Sequence, residues 1–201
     1  VRRHIITWMV TVTALIVIVG VQMMWFRQSY VVSAPVPGGV YAEAVKGPLA
    51  TLNPLYATTS AEQSASRLLF SSLFMHDTTG HLRGDVARTM QVDPTGKVYT
   101  VTLKPNVLWQ DGYTLTSKDV AFTVDLMKNP SARSVMNASW KDIQVSVVND
   151  LTVQFNLPAT YAAFPQALTF SILPEHILRS IDPHALRENS FSNNPVGSGP
   201  F

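Results

Sequence analysis

The residues best equipped for chemistry are few. His76, Asp77 and His81 form an H-D-x-x-x-H run, and two imidazoles with a carboxylate could hold a divalent cation if a turn brought both rings inward. Asp77-Thr78-Thr79-Gly80 reads more simply as a turn between strands, and no third ligand stands nearby. His4, His176 and His184 are isolated. Ser198 lies between two glycines, but Val196 and Pro200 occupy the outer positions that a G-x-S-x-G nucleophile elbow fills with glycine. Those glycines are expected to let the backbone bend sharply. Asp111, Asp119 and Asp125 are spread along a turn and a helix, where capping and solvation account for them. No glycine-rich phosphate loop with a lysine is present. These residues make no catalytic constellation, so an enzyme is not expected, nor a metal or other cofactor.

The elements that would position these groups centre on Val107–Met127. An apolar segment ends at Trp109, and Gln110-Asp111-Gly112 turns the chain. Thr116 or Ser117 can cap a helix, with Asp119 three residues after Thr116 in a variant of the capping box. Val120, Val124 and Met127 recur at helical spacing, with Phe122 and Leu126 beside them. Asn129-Pro130 ends the helix, because the residue before proline is pushed out of the α region.

Earlier in the chain, Arg2 and Arg3 precede an uncharged stretch from Ile5 to Phe26, long enough to span ~30 Å of hydrocarbon. Residues 1–27 are expected to be an uncleaved transmembrane anchor with a cytoplasmic N-terminus. A cleaved signal peptide is the alternative, but its apolar region would be about 7–15 residues. Residues 28–39, with Pro35, Pro37, Gly38 and Gly39, read as a linker. Val40–Val45 alternates as a strand would. A helix follows Ser60, capped by Thr59 with Glu62 or by Ser60 with Gln63, with Ala61, Ala65, Leu68, Leu69 and Leu73 as its expected buried stripe. Leu73–Asp93 reads as a hairpin-like region, and Asp93-Pro94-Thr95-Gly96 as a strong turn. Val98–Leu103 alternates as a strand, Ile143–Leu157 as a hairpin turning at Asn149-Asp150. Tyr161–Leu168 reads as a short helix interrupted by Pro165.

Composition narrows the function classes. Among 201 residues 46% are hydrophobic and 14% charged, so a folded core is easily supplied. The net charge of +2, with no lysine or arginine run, argues against a nucleic-acid partner. The absence of cysteine excludes disulfides, thiolate metal sites and a cysteine nucleophile.

Four ordered segments carry a family resemblance. They are E-A-x-x-G-x-x-x-x-L-N-P-L from Glu43, W-x-D-G-x-x-L-T-x-x-D-V-x-F-T from Trp109, I-L-P-x-H-I-L from Ile172, and P-V-G-S-G-P-F from Pro195. The last has Ser and Phe where the family has Thr and Tyr. Together they resemble the bacterial extracellular solute-binding proteins of family 5, the oligopeptide-, dipeptide- and nickel-binding components of ABC importers. The resemblance implies an α+β (mixed α/β) fold: residues 40–201 as the N-terminal part of lobe one of a two-lobed periplasmic-binding-protein-like fold. Residues 60–167, roughly, would be its inserted subdomain, with a second lobe expected to be missing from this chain. In such a family the segment after L-N-P lines the ligand cleft, which carries over onto Tyr56, Ala57, Thr58, Thr59 and Ser60. Their backbone groups would meet an extended peptide as an added strand does; equally, they would form an ordinary loop capping the next helix. Trp140 and Tyr161 are further candidates to reach the cleft. The implied partners are a peptide or other small solute, an ABC permease with its ATPase subunits, and the membrane through the N-terminal helix. A nickel or metallophore binder, or an anchored sensor or scaffold on the same fold, remain the alternatives.

Overall fold

The structure, a computed structural model, describes residues 2–29, 44 and 46–200. The expected linker and the Val40–Val45 strand lie outside these residues, apart from Ala44 and the helical Gln28 and Ser29. The chain divides into two units between Glu43 and Ala44.

The first unit is α1 (Arg2–Ser29). Its Arg2–Trp25 portion, 24 residues, is long and apolar enough to cross a membrane. At 1.5 Å per residue it extends about 36 Å, against a hydrocarbon core of about 30 Å. The hydroxyls of Thr7, Thr11 and Thr13 donate back to the carbonyls of Arg3, Thr7 and Met9, so these polar groups are satisfied within the helix.

The second unit is built on a four-stranded antiparallel sheet of order β3-β4-β6-β5. Its strands are β3 (Ala87–Val92), β4 (Val98–Leu103), β5 (Gln144–Asn149) and β6 (Thr152–Asn156). Two tight connections set the register. In the turn between β3 and β4 the Asp93 carboxylate accepts from the N–H groups of Thr95, Lys97 and Val98, and Gly96 takes φ 69°. Asn149-Asp150 turns the second hairpin, as its side-chain pattern predicts. Period-two alternation then sends Tyr99, Val101, Leu103, Val153 and Phe155 to one buried face. Each such side chain contributes roughly 1.5–3 kcal/mol by leaving water.

Helix α3 (Ser117–Lys128) covers that face. Its Thr116–Asp119 capping box is formed on both sides, and Val120, Val124, Leu126 and Met127 are buried. Helix α3 packs on β5 and β6 and against the short α4 (Asn137–Trp140) and α6 (Glu175–Leu178). Trp140 does not reach a cleft. It is buried among aromatic rings, 5.0 Å from Phe170 and 5.9 Å from Phe164. Tyr161 is exposed, and its carbonyl accepts from the Tyr99 hydroxyl. Pro165 does not interrupt a helix. It starts one, α5 (Phe164–Ala167), sitting in the first turn where a missing N–H costs nothing.

The strands β1 (Phe74–His76) and β2 (Leu82–Gly84) form a separate antiparallel pair. Helix α2 (Ser60–Leu69) precedes them. Its buried residues are Ala61, Glu62 and Ser66; of the stripe expected from spacing, Ala61 is buried and Leu69 packs partly buried against the core. Leu68 is exposed, and Leu73 is buried only after Phe70 has left the helix in an extended conformation. On this inner face the Glu62 carboxylate ties the preceding loop to the helix.

The Gly-Ser-Gly segment near the C-terminus docks on the end of α2. The N–H groups of Ser198 and Gly199 donate to the Leu69 carbonyl at 3.0 and 2.9 Å. Ser71 N–H donates to Ser198 Oγ, and Ser71 Oγ to the Ser198 carbonyl. Gly197 and Gly199 do not have positive φ, so the reason for glycine here is approach and not bending. A Cβ on Gly197 would fall 2.0 Å from the Leu69 carbonyl oxygen, and one on Gly199 2.3 Å from that of Leu68. Gly197→Ala should therefore destabilise the chain by about 1–3 kcal/mol, seen as a lower midpoint in denaturant. A midpoint equal to that of the parent chain would mean the docking is looser than described.

Candidate functional site

The five residues after L-N-P are placed by two side chains. Asn53, fully buried, folds its own segment: its Oδ1 accepts from Leu55 N–H and its carbonyl from Tyr56 N–H, while Nδ2 donates to Ser192 Oγ. Glu62, from the first turn of α2, reaches back. Its Oε2 accepts from Thr58 N–H at 2.9 Å and Thr59 N–H at 3.0 Å, and its Oε1 from Ala50 N–H at 3.1 Å. Thr59 Oγ1 accepts from Glu62 N–H, completing the capping box. Hydrogen bonds from the Thr59, Thr58 and Ala50 backbone hold the Glu62 carboxyl down from an ordinary 4.5 to about 2.

This geometry changes what the segment can offer. The N–H groups of Tyr56, Thr58 and Thr59 are already committed internally. Donation from those N–H groups to an incoming strand is thus closed in this conformation, and the Thr59 carbonyl is taken by the Gln63 N–H. Thr58 and Ser60 are exposed, Thr59 is half-buried, and Ala57 is buried. Tyr56 is 2% exposed, and its hydroxyl has no hydrogen-bond partner among the described residues. Burial pushes its pKa up, against the opposing pull of Arg187 and Arg133. The Arg187 guanidinium lies 5.4 Å above its ring.

Beside this segment runs a cleft in two parts. One, of about 280 Å³, is bounded by Ala57, Ser66, Arg67, Met136, Gln166 and Phe170, among others. The other, of about 250 Å³, is bounded by Arg67, Phe74, His76 and Asp85, among others. Arg67, Thr169 and Ser171 border both. The lining mixes apolar side chains with polar ones, Gln63, Ser66, Gln166 and Thr169 among them. A larger depression of about 760 Å³ along α1 lies between the side chains of an exposed helix and is almost wholly apolar, with few polar groups to orient a ligand.

Residues 81–201 match the model of bacterial extracellular solute-binding proteins, family 5 Middle. The chain belongs to this family. A Brucella ovis protein named for ABC-transporter peptide binding is 35% identical over 153 residues, which cover 74% of this chain and 28% of that one. The crystal structure of NikZ from Campylobacter jejuni in complex with Ni(L-His) superposes with a TM-score of 0.71 at 32% identity, covering 78% of this chain and 31% of NikZ. The oligopeptide-binding protein AppA from Bacillus subtilis, in complex with a nonapeptide, gives 0.69 at 29% identity, covering 74% and 30%. The chain thus spans under a third of the length of each of these three relatives. The family's α+β fold of the periplasmic-binding-protein type agrees with the sheet and helices described above.

Several site features of the family-5 chain are silent in its sequence. Ser66, Arg67 and Gln166 border the cleft, yet none stands in a recognisable motif. The one usable signal is that Glu62 and Ser66, polar residues four apart, sit on the inward face of α2. The H-D-x-x-x-H run does not converge. Asp77 Oδ1 accepts from the N–H groups of Thr79 and His81, the His76 ring bonds to Gln166, and the His81 ring to Thr79. Among the described residues no group of three or more histidines and carboxylates is placed to hold a metal. His176 lies between Trp109 and Tyr113, stacked on the latter at 4.4 Å, with its Nε2 2.8 Å from Asp111 Oδ2.

The Glu62 carboxylate gives a pH test. A carboxyl depressed in the folded state contributes stability in full above its unfolded value, and that contribution declines as pH falls through 4.5 towards about 2. Glu62→Gln should be less stable than the parent at pH 7, and the gap in denaturation midpoint should close over that window. A gap independent of pH would show that the Glu62 charge is not what holds residues 50, 58 and 59.

Proposed function

We propose that the family-5 chain is part of an extracytoplasmic substrate-binding protein of an ABC importer, capturing oligopeptides or dipeptides for delivery to a permease. The observation that carries this reading is the cleft beside Tyr56–Ser60 in a chain whose family and relatives bind solutes. Residues 40–201 would belong to lobe one, with residues 60–167 as its inserted subdomain. Ligand held between this wall and a second lobe would favour a closed form, and the closed form would dock on the permease. The modest size of each cavity is what one wall of such a site would offer. Recognition in this reading uses the groups of Tyr56, Ala57, Thr58, Thr59 and Ser60 that stay open, since Glu62 occupies the Thr58 and Thr59 N–H groups.

Helix α1 would anchor the protein, its N-terminus in the cytoplasm next to Arg2 and Arg3 and the binding unit outside. A tether raises the effective concentration of binder at the permease. After alkaline carbonate extraction the protein should stay with the membrane pellet. A deletion of residues 2–25 should move it to the supernatant, and a parent protein found there would remove the anchor from the proposal.

A second reading, capture of a nickel chelate, is favoured by the likeness to NikZ with bound Ni(L-His). One experiment separates the two. The protein is purified natively from its own cells, gently denatured, and the released material analysed by mass spectrometry. Short peptides of mixed sequence are the expected result. A single metal chelate would replace peptide capture with the second reading, and an empty protein that also ignores a peptide library would remove both.

A further inference from the structure

We propose that the solute presents a carboxylate to Arg67, and that this side chain is the charge-selective element of the cleft. The inference rests on the reading that the cleft takes the solute, and adds to it the chemical class of group bound there.

Arg67 lies in the last turn of α2 and is exposed. It borders both parts of the cleft. No carboxylate comes within 4 Å of its guanidinium among the described residues, whose ion pairs are Lys118–Asp150, His176–Asp111 and Arg179–Glu175. Among the described residues the larger part of the cleft is bordered by no acidic side chain, and Arg67 is its single formal charge. Asp85, in the smaller part, spends its Oδ2 on the Ser72 N–H at 2.9 Å. The simplest other role for a last-turn arginine is to complement carbonyls at the helix C-terminus. Here the Leu69 carbonyl is already taken by two N–H groups, those of Ser198 and Gly199.

An independent sign comes from the neighbouring residue. Ser66 is 4% exposed, borders the larger part of the cleft, and its Oγ has no hydrogen-bond partner among the described residues. A buried hydroxyl left unpaired is rare in a finished fold and calls for an explanation. On the wall of the same cavity as Arg67 it offers one more donor for an anion. The fork of Arg67 can bind a carboxylate through two parallel N–H···O bonds, and Ser66 Oγ–H, Gln63, Gln166 and Thr169 can take the remaining lone pairs. A phosphate would fit the fork equally, but a site for a dianion gathers more than one cation, and this wall holds one.

A carboxylate can come from a peptide's C-terminus or from an acidic side chain. The test uses tri-alanine as the free acid, tri-alanine C-terminal amide, and Ala-Glu-Ala amide, titrated calorimetrically into the full-length native protein. The free acid should bind about 10–100-fold more tightly than the amide, and Arg67→Gln should abolish that ratio by weakening the acid alone. Arg67→Lys should retain part of the ratio. Selection of Ala-Glu-Ala amide over tri-alanine amide, lost in Arg67→Gln, would place a side-chain carboxylate at Arg67 and uphold the proposal by that route. A ratio unchanged in Arg67→Gln, with binding intact, would overturn the Arg67 assignment while leaving peptide capture standing. Failure of the parent protein to bind all three would overturn both.

Discussion

A ten-residue helix cannot satisfy its own ends. Its first N–H and last C=O groups lack intrahelical partners, and in α2 the surrounding chain supplies them. At the start, the Thr59–Glu62 box closes the helix, and the same carboxylate gathers the backbone of Ala50, Thr58 and Thr59. At the end, the Leu69 carbonyl receives the Gly-Ser-Gly segment. The cleft lies along the stretch between, where Ser66 and Arg67 sit. Its shape therefore depends on both ends being held.

Three of the four family segments meet around this helix. L-N-P-L folds on Asn53 ahead of it, and P-V-G-S-G docks behind it. The Trp109 turn joins them through a two-way exchange: Gln110 N–H donates to the Gly197 carbonyl, and Gly197 N–H to Gln110 Oε1. The fourth, I-L-P-x-H-I-L, is tied to α3. Thr123 Oγ1 accepts from Leu173 N–H, and Asp119 Oδ1 from Glu175 N–H. Asp119 thus serves a cap and a long-range contact at once, and Thr123 is fully buried for the same purpose. The motifs are junctions where separate stretches of backbone are bonded together, which is a structural role and not a catalytic one.

That distinction explains what could be read from the sequence. The strand Val98–Leu103, both turns at Asp93 and Asn149, and the capped helix from Ser117 follow from local rules: alternation, turn chemistry and cap residues within a few positions. The buried face of α2 did not follow, because Glu62 turns inward to the backbone of Ala50, Thr58 and Thr59, contacts that hydrophobic spacing does not encode. The requirement for glycine at 197 and 199 was visible, but its cause was not. It lies in the Leu68 and Leu69 carbonyls, more than a hundred positions away. Tyr56–Ser60 were located by resemblance alone. Which of their backbone groups remain open depends on where a glutamate side chain points, and spacing does not encode that.

Among the described residues the sheet ends in two outer strands, β3 and β5, whose outer backbone edges could recruit a strand from another molecule. Each carries a register irregularity, between Ala87 and Thr89 in β3 and between Val147 and Asn149 in β5. An irregular edge twists away from a straight neighbour and spoils the even ladder that edge-to-edge association needs. This matters for β5 in particular, since Val147 and Val148 are exposed on it. The interruption at Asn149 breaks the even ladder at one end of an apolar, strand-forming edge.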